Sequence, residues 1–377
     1  MTAIISKPDT QQKLEILSAD AQYDLACACG TREDEHRKRS TQGKWIYPVT
    51  LPNGGTSVLF KTLISNICSN DCKYCPLRTD QDVRRCTLSE EEIVNTFLDY
   101  FRRREVFGLF LTSGVLGTPD ATMERLNGIA RILRYKRDFR GYIHLKVIPG
   151  ASANAIEEAV SLSTAVSLNI ETPGANHLAK LSSRKHFIKD IVEPIKLISR
   201  LTGRGNKYSR VKQTTQFVVG AADETDSEIV RYMFGLYDRL NLKRIYFSAY
   251  QKGLGHHSID EHKNQNPSQV FMREHRLYQV DFLMRKYGFT ESDICFDTMG
   301  NLSLEIDPKE HWAKLHPGSF PVDINKASKY QLLRVPGLGD ITVSRILEHR
   351  KAAKIKSIDD VGRVAGRLKK ANEYLCY

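Results

Sequence analysis

The chain has 377 residues, 41% hydrophobic and 27% charged, with 56 Lys and Arg against 44 Asp and Glu for a net charge of +12. Those proportions suit a globular protein with one large core and a small appendage. They exclude a membrane span, since no run nears the ~20 apolar residues one needs, and the first residues show no basic region followed by an apolar core, so a cytoplasmic protein is expected.

Residues 1–54 are polar and mixed, with a short helix expected near 11–25 and turn signals at Pro48, Pro52, Asn53, Gly54 and Gly55. Six β-rich runs follow, at 56–65, 108–114, 142–148, 165–171, 214–220 and 244–250. Helical periodicity lies between them at 89–106, 119–138, 152–162, 187–202 and 224–240, and again at about 268–288. Capping boxes at Ser89–Glu92 and Thr225–Glu228 mark two helix starts. Six strands, each followed by a helix, predict a parallel sheet whose strands are covered on both faces. The fold class is α/β, a partial (β/α)6 barrel rather than the closed eightfold form. The expected domains are an extension at 1–54, a barrel core at 55–317 and a small all-α domain at 318–377.

In such folds the working residues gather at the carboxyl ends of the strands. Polar or glycine residues recur there: Cys68 after the first strand, Thr112, Ser113 and Gly114 after the second, and Asn169 and Glu171 at the end of the fourth. Gly220 follows the fifth and Tyr250 ends the sixth, while Lys146 closes the third. They predict one site.

The chain has eight cysteines, in this setting ligands or free thiols rather than disulfides. Cys68, Cys72 and Cys75 cluster as C-x3-C-x2-C, and no second pair follows at zinc-finger spacing. Three thiolates on a cubane iron–sulfur cluster leave one iron open to a small molecule. Cys27 and Cys29 form a C-x-C pair that reads as free thiols or, with Cys86 or Cys295, as part of a second cluster; Cys376 stands alone.

C-x3-C-x2-C after the first strand, with Tyr74 just before the last cysteine, resembles the radical S-adenosylmethionine superfamily. The resemblance implies one 4Fe–4S cluster on Cys68, Cys72 and Cys75, with S-adenosylmethionine as the second cofactor. It implies that Thr112, Ser113 and Gly114 meet the methionine amino group, and that Asn169 and Glu171 in "SLNIET" meet the ribose. It further implies Arg184 on the methionine carboxylate, Gly220 near adenine, and Ser248 and Tyr250 at the sixth strand's edge. The resemblance also implies reductive cleavage to a 5′-deoxyadenosyl radical, with an electron donor such as flavodoxin or ferredoxin.

The tail is a different module. From residue 318 it carries 12 Lys and Arg against 6 Asp and Glu. "VPGLGD" is a glycine-bearing hairpin between two helical stretches, the first capped by Asn325 and running to about Arg334, the second running from Asp340 to about Lys351. It resembles the helix-hairpin-helix motif, which implies backbone contacts to nucleic acid through Pro336, Gly337, Leu338 and Gly339. Lys354, Lys356, Arg363, Arg367, Lys369 and Lys370 extend the positive surface, and a second, weaker unit is expected through "SIDDVGRVAGRLKKANEYL".

Taken together the chain resembles the DNA modification or repair radical S-adenosylmethionine proteins. Beyond the cysteines the likeness is carried by "LFLTSGV", "GYIHLKVIPGAS", "REHRLYQVDFLMRKYGF" and "HPGSFPVDINKASKYQLLRVPGLG". It implies a DNA substrate and a uracil-DNA glycosylase-like partner. Two alternatives stay open: a radical enzyme on RNA, protein or a small molecule with the tail as tether, and a non-catalytic iron–sulfur protein that binds DNA.

Overall fold

The computed structural model describes residues 8–21, 45–50, 55–260, 266–362 and 366–377. Cys27, Cys29 and Arg363 lie outside the described residues, as does the end of the helix expected at 11–25. The chain divides into two compact units, one of residues 1–224 and 235–270, the other of 225–234 and 271–377.

The first unit is built on a seven-stranded sheet in chain order. β1 (Ile46–Thr50) pairs antiparallel with β2 (Thr56–Leu63). From β2 onward every pairing is parallel: β3 (Gly108–Thr112), β4 (Tyr142–Lys146), β5 (Ala165–Ser167), β6 (Lys212–Val219) and β7 (Arg244–Ala249). β1 was not expected, because Pro48 and the turn residues after it mask a short strand; at the sheet's edge a proline is tolerated. The six expected strands are present, as an open partial barrel.

The crossover helices follow from their caps and apolar spacing. α1 (Thr10–Asp20) docks on the start of α2 (Glu90–Arg102), where Lys13 and Thr10 both bond Glu92 at 2.8 Å. Ser89 and Glu92 close the expected capping box of α2, which buries Ile93, Val94, Phe97 and Leu98 on one stripe. Phe97 meets Phe60 of β2 at 6.1 Å and Phe139 at 5.1 Å, the latter edge to face, so aromatic packing fixes α2 on the sheet. α3 (Pro119–Arg131) and α4 (Ala153–Leu162) are capped by Thr118 and Ser152. α5 (Ala175–Leu181), α6 (Glu193–Thr202) and α8 (His257–Asp260) belong to the same unit, while most of α7 (Asp226–Asp238) and of α9 (Pro267–Tyr287) falls in the second. α5 and α8 are too short to have shown a periodicity.

The second unit holds α10 (Pro308–Leu315), α11 (Lys329–Arg334), α12 (Asp340–Ala352) and α13 (Arg367–Asn372). β8 (Val322–Asp323) and β9 (Leu375–Cys376) pair in parallel. α11 starts at Ser328, whose capping box with Gln331 supplies the N-cap, and not at Asn325. The Asn325 amide is otherwise engaged, giving and taking 2.9 Å hydrogen bonds with the backbone of Ile355. Arg334 forms a two-pronged ion pair with Asp293 at 2.8 and 3.0 Å and lies 4.6 Å over the rings of both Phe289 and Trp312. The hairpin module is therefore rooted in residues well before 318.

Candidate active site

Residues 64–89, between β2 and α2, form the longest connection from a strand's carboxyl end, and backbone-to-side-chain bonds hold it in shape. The Arg85 guanidinium donates to the carbonyls of Asn66, Leu77, Arg78 and Gln81, the last three at 3.0, 2.8 and 3.0 Å. Asn66 accepts from Cys86 N and donates to Asp20 and to the Arg84 carbonyl. Asp71 accepts from the hydroxyls of Ser182 and Ser183 at 2.5 and 2.6 Å. Burial opposes its charge, but those bonds outweigh it and bring the carboxyl down to about 2.

Two neighbouring strand ends clasp this loop. Ser69 N donates to Val115 O and Gly114 N to Ser65 O, at 2.9 and 2.8 Å. A Cβ at Gly114 would stand 2.4 Å from Ile67 O, and one at Gly255 would stand 2.4 Å from both Lys73 O and the Tyr250 hydroxyl. Only glycine allows so close an approach.

The three cysteines and Tyr74 line one cavity. Thr112, Ser113 and Gly114 supply its wall at the end of β3, Lys146 at the end of β4, Asn169 and Glu171 beyond β5, and Ser248 and Tyr250 at the end of β7. Gly220 and Arg184 are not among its lining residues. Gly220 turns the chain after β6 with φ +83° and its N–H bonds the Glu224 carboxylate at 2.5 Å. Arg184 is exposed and donates to Ser69 O on the cysteine loop.

Lys185, the residue after Arg184, enters the cavity instead. Its ammonium donates to the Tyr74 hydroxyl at 3.1 Å and stands 3.7 Å from a Glu171 carboxylate oxygen, close enough to Cys72 for the two charges to interact. Burial opposes its charge, yet Cys72 and Glu171 together keep its affinity for the proton above the ordinary lysine value. Sequence reasoning missed it, because in "SSRKH" either of two adjacent bases could face inward.

Glu171 is buried in a left-handed conformation, φ 66°, uncommon for a glutamate and a local cost of roughly 1–3 kcal/mol of the kind found at functional sites. Its backbone is pinned to β6 by bonds to Gln216 O and from Val218 N, at 3.0 and 2.8 Å. Asn169 donates to its carboxylate at 3.4 Å. Tyr250 donates to Asp260 at 2.9 Å; burial, then Asp260, keeps its phenol protonated.

The donor set invites a cationic centre. Burial pushes the Cys75 thiol up to about 12, and burial also raises Cys72 against the pull of Lys185. A thiolate at either position needs positive charge beside it, which a metal centre supplies. Backbone N–H groups of Val115 and Leu77 already point at the sulfurs of Cys68 and Cys75, each at 3.4 Å, where they would steady a thiolate that holds a metal. Among the described residues no three Cys, His, Asp or Glu side chains gather as around one ion. A cubane does not ask for that: each of its thiolates takes a different iron, so they stand farther apart than ligands of a single zinc.

Residues 62–234 match the Radical SAM superfamily model, spanning the cysteine loop and the cavity walls through β6. This is a radical SAM domain. Residues 319–373 match the helix-hairpin-helix motif. Among curated proteins none gives a significant match. Solved structures similar to the chain include HydG, a maturase of the [FeFe]-hydrogenase, with 13% identity over 59% of this chain and 49% of that one and a TM-score of 0.46. The HydG of Carboxydothermus hydrogenoformans gives 16% identity over 59% and 51%, with a TM-score of 0.45. Methylornithine synthase, PylB, gives 16% identity over 59% and 63%, with a TM-score of 0.46. The chain thus spans between about half and three-fifths of the length of these structures.

The cofactors of a radical SAM domain are a 4Fe–4S cluster and S-adenosylmethionine, and the residues present fit both. Cys68, Cys72 and Cys75 would hold the cluster, and the cavity beyond them offers charged and polar groups at four strand ends.

Proposed function

We propose that the protein is a radical SAM enzyme acting on nucleic acid, with DNA as substrate and repair or modification as the outcome. The observation that carries this reading is the presence in one chain of the three-cysteine cavity and of a helix-hairpin-helix motif. When bound, the cofactors supply an electron and a 5′-deoxyadenosyl radical able to take a hydrogen atom from a substrate. The chain's own residues bind and orient. Glu171 and Asn169 present acceptor and donor groups suited to ribose hydroxyls, Lys185 offers a cation suited to the methionine carboxylate, and Gly114 brings its strand end against the loop of Cys68.

In the hairpin, Pro336 and Leu338 are buried and Gly337 takes φ +85°. Lys309, itself buried, donates to Leu338 O at 2.5 Å and fixes the turn. Gly339 is the N-cap of α12 and brings no side-chain oxygen to the first N–H groups, which leaves them suited to a phosphate oxygen. Lys354 and Lys356 are exposed nearby in sequence. A flavodoxin or ferredoxin as electron donor and a uracil-DNA glycosylase-like partner belong to the same proposal.

The test is anaerobic reconstitution, reduction and quantification of 5′-deoxyadenosine with no nucleic acid, duplex DNA, single-stranded DNA and RNA. The expected result is more cleavage with DNA. Equal cleavage in all four would remove the nucleic-acid substrate, and a rise with RNA alone would move the substrate class.

A further inference from the structure

The parallel sheet has two edges, and their charge differs sharply. At the carboxyl edge, the connections 64–89, 113–118, 147–152, 168–186, 220–224 and 250–260 carry eight Lys and Arg against seven Asp and Glu, a net +1. At the amino edge, the connections 103–107, 137–141, 163–164, 203–211 and 239–243 carry nine against two, a net +7 out of the chain's +12. All nine of these bases are exposed, against four of the eight at the other edge. Solvated lysines and arginines scattered over a surface are ordinary, and bases just past helix ends also answer the helix dipole; here they add up to a net +7 along one edge of one sheet.

The loop 203–211 is the centre of the patch. From residue 194 to 222 there are six Lys and Arg and no Asp or Glu. Three successive turns organise it, with Asn206 N bonding Gly203 O, Ser209 N bonding Asn206 O and Val211 N bonding Tyr208 O, at 3.0, 3.1 and 2.9 Å. They set Arg204, Lys207 and Arg210 at three-residue intervals, with Lys207 5.0 Å over the Tyr208 ring. The neighbouring connections are tied together. Arg134 spends its guanidinium on Leu162 O, Phe139 O and Gly141 O at 2.9, 2.7 and 2.8 Å, which locks 137–141 against the end of α4. The patch is thus a formed surface of fixed positive charge, with Tyr135, 74% exposed, among its bases.

We propose that this amino edge of the barrel is a second nucleic-acid surface, gripping phosphates without reading bases, in addition to the hairpin module. Like charges held close repel one another, and a polyanion relieves that while releasing its counterions. The inference rests on the nucleic-acid reading above and extends it. It gives the barrel its own hold on the backbone, at the sheet edge away from the cysteines.

The experiment uses full-length reconstituted protein and labelled duplex DNA and RNA of one length, with affinity measured across a salt series. R204A/K207A/R210A is compared with the parent and with K354A/K356A in the module, and melting and cluster absorbance establish that each is folded. The inference expects the triple variant to bind roughly tenfold to a hundredfold more weakly and its salt slope to fall by about 2–3, close to one per lost phosphate contact. Affinity and slope equal to the parent's, with K354A/K356A impaired, would overturn the inference and leave the module reading intact. If neither variant is impaired, both readings fall. Displacement of DNA by polyglutamate at equal charge concentration would mark the edge as a surface for acidic polypeptide, which also overturns it.

Discussion

The two edges of the barrel sheet differ in what their side chains are for. At the carboxyl edge charge is nearly balanced and half of the bases are withdrawn from solvent: Lys185 bonds Tyr74 and pairs with Glu171 in the cavity, and Arg85 is used up on backbone carbonyls. At the amino edge the charge is unbalanced and turned outward. Inward, balanced charge is expensive to bury and is tolerated where it holds something in place; outward, unbalanced charge has a long reach and little geometric precision. The fold thus separates chemistry from adhesion by strand direction alone.

That contrast can be broken at several points, with effects of decreasing size. Replacing any one of Cys68, Cys72 or Cys75 by Ser should remove the cluster absorbance and reduce 5′-deoxyadenosine to background; a variant that keeps both would show that its cysteine is no ligand. Lys185→Met should keep the cluster but cut S-adenosylmethionine cleavage by about a hundredfold or more, a loss of roughly 3 kcal/mol in the range of a buried charged contact. It should also make the cluster harder to reduce, since a positive charge beside Cys72 favours the reduced form. Lys185→Arg restoring the potential but not the cleavage would separate charge from position. An unchanged potential and unchanged cleavage in Lys185→Met would return the carboxylate role to Arg184. Arg85→Lys leaves the charge but cannot reach all four carbonyls, so the expected result is a several-fold lower iron content after reconstitution and a loop more open to protease.

The smallest effect concerns the second unit. Asp293 is held at about 2, burial opposing its charge and the Arg334 pair outweighing it. A carboxyl depressed in the folded state adds stability above the unfolded value near 4, and that stability is lost as pH falls through about 2. The window is therefore pH 4 down to 2, worth on the order of 2 kcal/mol at low salt. Fluorescence of Trp312, which lies beneath Arg334, should report it in the Trp45→Phe background, and Asp293→Asn should flatten the response. A response of equal size in that variant would place the titration elsewhere.

How far the sequence reached follows from what its signals measure. The six parallel strands, their helices and the capping boxes at Ser89 and Thr225 were legible because periodicity and caps are local; Thr225 and Glu228 do bond each other's backbone as that motif requires. The cysteine loop was legible because its spacing is itself local. Lys185 against Arg184 was not, since the choice depends on which side of a turn faces the cavity. Gly255 was not legible either, since its role emerges only where Lys73 O and Tyr250 meet it. Ser328 displaced Asn325 as the cap because Asn325 answers to Ile355, thirty residues away. The charge of the amino edge was hidden for a related reason: its bases lie in four separate stretches that only the sheet brings into line.

The most direct test of the central claim is electron paramagnetic resonance of the reduced protein, recorded anaerobically with and without S-adenosylmethionine. A cluster held by three cysteines with one iron open predicts a clear change in the signal on addition, abolished with the cluster in Cys68→Ser. A signal that stays the same, from a centre whose iron positions are all filled by protein side chains, would contradict it.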